Sequence, residues 1–547
     1  MPRRQRVRTL KQLCLSNVAA NMKEVWAKDY IDNYLTDYNF LYIMGPFNDL
    51  ASSLVQDLLQ LLGDTHRLTR AFLQLLLVPH LVELNLRSCS GLVSNAIGQI
   101  IHIRCQGLTA LNLHGCSRIQ SSILVDLIEC LPRLRKLTLS STQCNSQVLS
   151  AIGFTCRELR ELDLSRCKEV TSLGLLHLVY DRTQAAFYSL QLRNLLTEGI
   201  TLSPDADLQH VVVMAFVLLT LPSLRYVTHT FLMEALTLIH GQLFRNGQEF
   251  LQSSGFPSLA EVALTSGANA PQAVLRLRRL DVSLGQDLSI LTSTCRDVAE
   301  ATIALDDSLR DLWHLNSWKK LTHLTLECSG FHGRPLSDMV PVLSCLGPRL
   351  QLLSLQNFQY HLEASLGNIL EFCPNLRVFR AQLHPSPQEF NSAPVNEDSD
   401  DEGGDNQQDR KRLFPANWRF LHLKDFSLRI EDSAPLPRSL QLSMTATLIS
   451  TLQGSPQLHK LSLINIPVSL DKIFQNVLEQ PASLVQLSEL CLAQSCVSSV
   501  AVCLLLAADN QLTSLDLRHC RDIHRRHFDQ FVEDAKRSKF DLKIFWE

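Results

Sequence analysis

Four hexapeptides set the terms for this chain: LVELNL from Leu81, LTALNL from Leu108, LRKLTL from Leu134 and LRELDL from Leu159. Each reads LxxLxL, and they start 27, 26 and 25 residues apart. In an extended segment alternate side chains share a face, so the last two leucines of each hexapeptide point the same way. A strand this short buries nothing alone. It becomes stable only when copies stack, which predicts a parallel sheet with a continuous leucine core. Three residues after the last leucine stand Cys89, Cys116, Thr142 and Cys167, small residues suited to the place where the chain turns inward. Cys105, Cys130 and Cys156 precede the next copies.

Between strands the pattern changes period. The stretch 121–130 spaces Leu124, Leu127 and Ile128 as one face of a helix. Strand plus helix in 25–27 residues predicts an α/β leucine-rich-repeat solenoid, a horseshoe with parallel strands on the concave face and helices outside. The run SRCKEVTSLGL from Ser165 resembles the cysteine-containing class of leucine-rich repeats. Further units can be read from Leu224, Leu259, Leu321, Leu350, Leu376, Leu458, Leu487 and Leu512, the last with Cys520 in register. Several come after a proline (Pro132, Pro222, Pro257, Pro374, Pro456) that would end the preceding helix. Spacing is irregular from about 180 to 320, read as degenerate repeats with longer helices, or else as an inserted helical subdomain near 205–250.

The domain plan is therefore a helical N-terminal domain and cap at 1–66, repeats at 67–390, an acidic loop at 391–412, and C-terminal repeats with a cap at 413–547. The 391–412 segment has few apolar residues and an acidic block, so it reads as a disordered loop. Ser399, directly before Asp400, Asp401 and Glu402, is a candidate phosphorylation site for an acidophilic kinase.

Composition narrows the function. Net charge is −3, which gives no general field for nucleic acid or membrane. The longest apolar run, 211–221, is too short for a bilayer, which needs about 20 residues. No apolar signal segment opens the chain. Sixteen cysteines without a CxxC pair suggest free thiols in a cytoplasmic or nuclear protein. There is no phosphate loop, GxSxG, HExxH or kinase set, so a non-enzyme without cofactor or metal is expected. His519, His524 and His527, crowded by Arg525 and Arg526, read as a polar helix rather than a metal site.

Residues 9–18, TLKQLCLSNV, lie outside the repeats and place Leu10, Leu13, Cys14 and Val18 on one helix face. A small residue, then Leu, then Cys four positions on and an aliphatic four further resembles the BC-box, the helix by which substrate receptors dock Elongin C. The architecture resembles the BC-box leucine-rich-repeat receptors, Zyg-11 and PRAME relatives among them. That resemblance implies that Leu10 fills an Elongin C pocket with Cys14 and Val18 beside it, by helix-in-groove recognition. It implies Elongin B and a cullin as further partners, cullin-2 ahead of cullin-5. Pro46, Leu50 and Leu54 stand where that family selects its cullin, although Gly45 replaces an apolar residue and Leu50 comes one position late. The helix there would carry Leu50, Leu54, Leu58, Leu61 and Leu62 inward, capped by Asn48 or Asp49. A protein substrate would bind the concave strand face through Glu83, Asn85, Arg87, Asn112, His114, Lys136, Thr138, Glu161 and Asp163, with Ser140 and Ser165 beside them. Three alternatives stand beside this one. The N-terminal segment could be a plain solenoid cap, the chain could be a scaffold without a ubiquitin role, or it could be an F-box receptor using Skp1.

Overall fold

The computed structural model describes residues 2, 9–28, 30, 32, 45–202, 206–266, 275–282, 287–306, 312–330, 333–360, 366–385, 419–431, 437–480 and 483–547. Ser399 and the 391–412 segment lie outside the described residues. Contacts divide the chain into two compact units. The first comprises Arg8–Leu280 with Ile290–Asp297, and the second Asp281–Ser289 with Val298–Glu547. The boundary falls near residue 280, inside the stretch that composition alone joins as one run of repeats.

The first unit opens with helices α1 (Leu10–Ala20), α2 (Ser52–Asp64) and α3 (Arg70–Leu76). Three-residue strands then alternate with helices: β1 (Glu83–Asn85), α4 (Asn95–Arg104), β2 (Ala110–Asn112), α5 (Ser121–Glu129), β3 (Lys136–Thr138), α6 (Ser146–Thr155), β4 (Glu161–Asp163) and α7 (Ser172–Val179). A small antiparallel hairpin, β5 (Tyr180–Asp181) and β6 (Ala186–Phe187), precedes β7 (Asn194–Leu196), α8 (Asp207–Thr220), β8 (Tyr226–Thr228), α9 (Leu232–His240), α10 (Gln248–Ser253) and α11 (Leu259–Ser266). The sheet order is β1-β2-β3-β4-β7-β8, every pair parallel. This is a leucine-rich-repeat fold.

Its register explains the repeat. Leu84, Leu111, Leu137, Leu162, Leu195 and Val227 pair in one row and are nearly inaccessible. Each contributes about 1.5–3 kcal/mol by leaving water. In α5 the buried residues are Leu124, Leu127 and Ile128, as their spacing predicts. The run 211–221 is largely the buried α8, and among the described residues no helix is long and apolar enough to cross a membrane. Within 205–250, β8 continues the sheet, pairing in parallel with β7.

Two local devices end these short strands. In β1, β2 and β4 the side chain of the last residue accepts the amide two positions on: Asn85 from Arg87 (3.1 Å), Asn112 from His114 (2.9 Å), Asp163 from Ser165 (2.9 Å). Three residues after β2, β3, β4 and β7 the backbone enters the left-handed region, at Gly115, Ser141, Arg166 and Gly199. The next residue turns inward. Cys167 donates its thiol to the Leu139 carbonyl (3.0 Å), and Thr142 donates its hydroxyl to the same carbonyl (2.6 Å), which is why Thr substitutes for Cys there.

One repeat read from sequence is corrected. The segment from Leu259 is not a strand but α11. Ser258 and Glu261 close it reciprocally: the Glu261 amide donates to Ser258 Oγ (3.4 Å) and the Ser258 amide to Glu261 Oε2 (3.2 Å). That serine-to-glutamate box starts a helix even where leucines imitate a strand. The true strand is β9 (Arg279–Val282), which carries the chain from one unit to the other.

The second unit contains β10 (Glu300–Leu305), β11 (His323–Cys328), β12 (Arg334–Pro335), β13 (Leu352–Tyr360), β14 (Val378–Pro385), β15 (Asp425–Ile430), β16 (Lys460–Ile464), β17 (Glu489–Cys491), β18 (Ser514–Asp516) and β19 (Lys543–Phe545). From β10 to β19 neighbouring strands pair in parallel, with β12 alone set to one side on β13. Its core includes Trp318 and the stacked rings of Phe379 and Phe426, 5.4 Å apart.

Candidate functional site

Helix α1 begins with a complete capping box. The Gln12 amide donates to Thr9 Oγ1 (3.2 Å), and the Thr9 amide donates to Gln12 Oε1 (3.0 Å). Two otherwise orphaned donors are satisfied, so the first turn is well defined. The helix packs on α2, with Ala19 and, just beyond its end, Met22 buried and Leu15 half-buried. Lys11 and Asp57 form an ion pair between the two helices.

The opposite side is apolar too. Leu10 is 77% exposed and Leu13 48%, Cys14 is exposed, and Val18 is half-buried beside them. These are the four residues singled out in the sequence, and the structure sets them along one side of α1. A surface helix ordinarily turns polar residues outward. Here leucine faces both the protein and the solvent.

Helix α2 does a different job. It buries Val55, Leu58, Leu59 and Leu62 and closes the open edge of β1. Gln56 donates its side-chain amide to the Glu83 carbonyl (2.8 Å), and Ser52 Oγ accepts from the Val82 amide (3.3 Å). Unpaired strand edges invite further pairing, and these two bonds cover this one. The expected cap at Asn48 or Asp49 is corrected: the helix begins after Ala51, without a side-chain cap. The Leu50 carbonyl is instead taken by His80 Nε2 (2.5 Å). Pro46 is exposed, and Leu50 and Leu54 are half-buried.

The other candidate surface is the open face of the first unit's sheet, where a shallow trough of about 490 Å³ lies over β1 to β8. Glu83, Asn85, Asn112, Lys136, Thr138, Glu161 and Asp163 all line it; Arg87 and His114 lie beyond its lining. The structure divides their roles. Lys136 and Glu161 pair with each other (3.0 Å). Asn85, Asn112 and Asp163 each commit one oxygen to the turn that ends their strand, so for them ligand contact is at most a second duty. Asn194, Leu196, Tyr226 and Arg279 also line the trough and were missed, because their repeats depart from the 25–27-residue period. Arg279 stacks its guanidinium 4.4 Å above the Tyr226 ring.

The repeat cysteines are not reactive groups. Burial pushes the thiols of Cys105, Cys116 and Cys156 up to about 12, and that of Cys89 to about 11. Such thiols stay protonated and act as small hydrophobes. At the far end of the chain, the His524 amide donates to His527 Nδ1 (3.3 Å) at the start of the helix Arg525–Arg537. Those histidines serve the helix end.

No protein-family model matches the chain. A curated bovine protein, F-box/LRR-repeat protein 4, is 32% identical over 122 residues, covering 21% of this chain and 19% of that protein. The match thus spans about a fifth of the relative's length. Among solved structures, a chain of the yeast Rad7 and Elc1 complex aligns over 95% of this chain and 96% of its own, at 14% identity and a TM-score of 0.39. A leucine-rich-repeat protein of Leptospira interrogans aligns over 85% and 95%, at 14% identity and a TM-score of 0.32.

Proposed function

We propose that this chain is a substrate-recognition subunit of an Elongin B/C-type cullin-RING ubiquitin ligase, working in the cytoplasm or nucleus. The observation that carries the reading is the outer stripe of α1. A helix anchored by a capping box and by α2 nevertheless turns Leu10, Leu13 and Cys14 to solvent. Leaving such side chains uncovered forfeits about 25 cal/mol per Å² that a partner could recover. Anchors one helical turn apart suit insertion into a partner's groove. In this reading Elongin C, held with Elongin B, covers the stripe. Pro46, Leu50 and Leu54 adjoin the cullin, and the trough over the first sheet holds the substrate. The chain performs no bond chemistry; it raises the local concentration of substrate near the ligase's partner enzymes.

The bovine relative's name favours one competing assignment, an F-box receptor bound to Skp1. Closure of β1 by α2 is compatible with either, since a docking helix can sit on a cap. Affinity purification of the full chain with mass spectrometry separates the readings. Elongin B and C among the retained proteins support the proposal. Skp1 in their place supports the F-box assignment. Stable partners of neither kind support a scaffold, and in that case depletion of the chain leaves its partners' turnover unchanged.

A further inference from the structure

Five strands, β3, β4, β7, β8 and β9, are entered through the same dipeptide, Leu134-Arg135, Leu159-Arg160, Leu192-Arg193, Leu224-Arg225 and Leu277-Arg278. Their separations, 25, 33, 32 and 53 residues, hide the series in the sequence. The fold restores it. The Arg160 amide donates to the Arg135 carbonyl (2.8 Å), Arg193 to Arg160 (2.7 Å), Arg225 to Arg193 (2.7 Å) and Arg278 to Arg225 (2.7 Å). The five arginines thus stand in one hydrogen-bonded row along the strand entries. At about 4.8 Å per strand the row is about 19 Å long.

The row is poorly neutralised. Arg135 pairs with Glu158 (3.0 Å). Among the described residues no carboxylate pairs with Arg160, Arg193, Arg225 or Arg278, all at least partly exposed. The Arg225 guanidinium is pushed below its usual range by Arg278 first, then by its own desolvation and by Arg193. Like charges held this close oppose folding, and none of these side chains fills the core. Every step is Arg and none is Lys. A planar fork of donors suits carboxylates, which it can grip with two hydrogen bonds.

We infer that this row binds an extended acidic peptide segment. About six residues of extended chain, at about 3.4 Å each, span it. A nucleic-acid strand fits less well. Single-strand sites use exposed aromatic platforms, and the one aromatic lining the trough, Tyr226, lies under Arg279. The inference rests on the substrate-surface reading above only in calling the peptide a substrate. Binding itself needs no ligase component.

The test uses the purified full chain and fluorescein-labelled deca-glutamate, monitored by anisotropy at low salt. The expected result is binding that weakens as salt rises. Arg193→Gln with Arg225→Gln should weaken it about tenfold. Arg67→Gln with Arg70→Gln, the same charge change elsewhere on the surface, should leave it unchanged. Labelled deca-thymidine should bind more weakly than deca-glutamate. No deca-glutamate binding, equal weakening by the control pair, or deca-thymidine binding as tightly would each overturn the inference. Because the row's charges repel, the Gln pair should not lower the thermal midpoint. If it does, Arg193→Lys with Arg225→Lys is read instead. Binding weakened about threefold supports forked recognition, and unchanged affinity refutes it. Failure here leaves the adaptor reading standing, and loss of Elongin binding leaves this result standing.

Discussion

The two units build parallel sheets from the same leucine spacing, yet five strands of the second are at least twice as long as the three-residue strands of the first. In the first unit strands stop at three residues. In the second, β10, β11, β13, β14 and β15 run for six to nine. The difference lies in the residues on either side of the last leucine. Asn112 and Asp163 bind their own backbone, and Gly115 and Arg166 turn it left-handed, so the chain leaves the sheet. In β13 the left-handed residue, Asn357, is absorbed as a bulge. Its side-chain amide donates to the carbonyls of Cys328 (2.8 Å) and Gly330 (2.9 Å), and the strand continues to Tyr360. Where the first arrangement returns, so does the short strand: β18 ends at Asp516, which accepts the Arg518 amide (3.1 Å), and left-handed His519 and buried Cys520 come next. Turn chemistry, and not leucine spacing, sets strand length in this fold.

The contrast can be broken in several ways, and the largest effect comes from alkali. In the first unit burial holds Cys105, Cys116, Cys156 and Cys295 at about 12 and Cys89 at about 11; in the second it does so for Cys373 and Cys520, at about 12 and 11. Unfolded thiols ionise near 9.0. Between pH 9 and about 11, then, only the unfolded chain gains these anions. The stabilisation is whole below pH 9 and is lost as pH rises, by about 1.4 kcal/mol per thiol per pH unit. Hydrogen exchange on the reduced protein near pH 10 should therefore show the first unit opening before the second; simultaneous opening would argue against thiol burial as the cause.

Next in size is Phe426→Ala, which removes half of the ring stack in the second unit and should cost about 3–5 kcal/mol in urea unfolding. Gly199→Ala places a Cβ at φ +70, 3.4 Å from the Arg166 side chain, and should cost about 1–2 kcal/mol. Ser141→Gly, which relieves the same geometry, should cost nothing or stabilise slightly. Smallest is Asn112→Ala, about 1 kcal/mol for the lost turn bond. If Asn112→Ala also lengthens β2, seen as added amide protection at His114, the turn account gains its most specific support.

The regular repeats were legible because leucines and turn cysteines recur together there. So was α1, whose apolar residues share one side. Other parts were hidden for physical reasons. The segment from Leu259 imitates a strand, and only Ser258 and Glu261 reveal a helix start. Strands β9, β10 and β15 escape the leucine pattern, because Val282, Ala301 and Phe426 stand where leucine would mark a repeat. The arginine row is written in five plain dipeptides, yet only the backbone bonds show that they are neighbours. Contacts across the open face, such as Lys136 with Glu161, depend on register that spacing alone does not specify.

The central claim is that the outer stripe of α1 is a docking surface. Titration of the purified chain with the purified Elongin B–C complex, by calorimetry, addresses it directly. The wild-type chain should bind, and Leu10→Ala with Cys14→Ala, both on the solvent side and outside the core, should weaken binding about a hundredfold or more without lowering the thermal midpoint. A wild-type chain that does not bind, or a double variant that binds as tightly, would contradict the account.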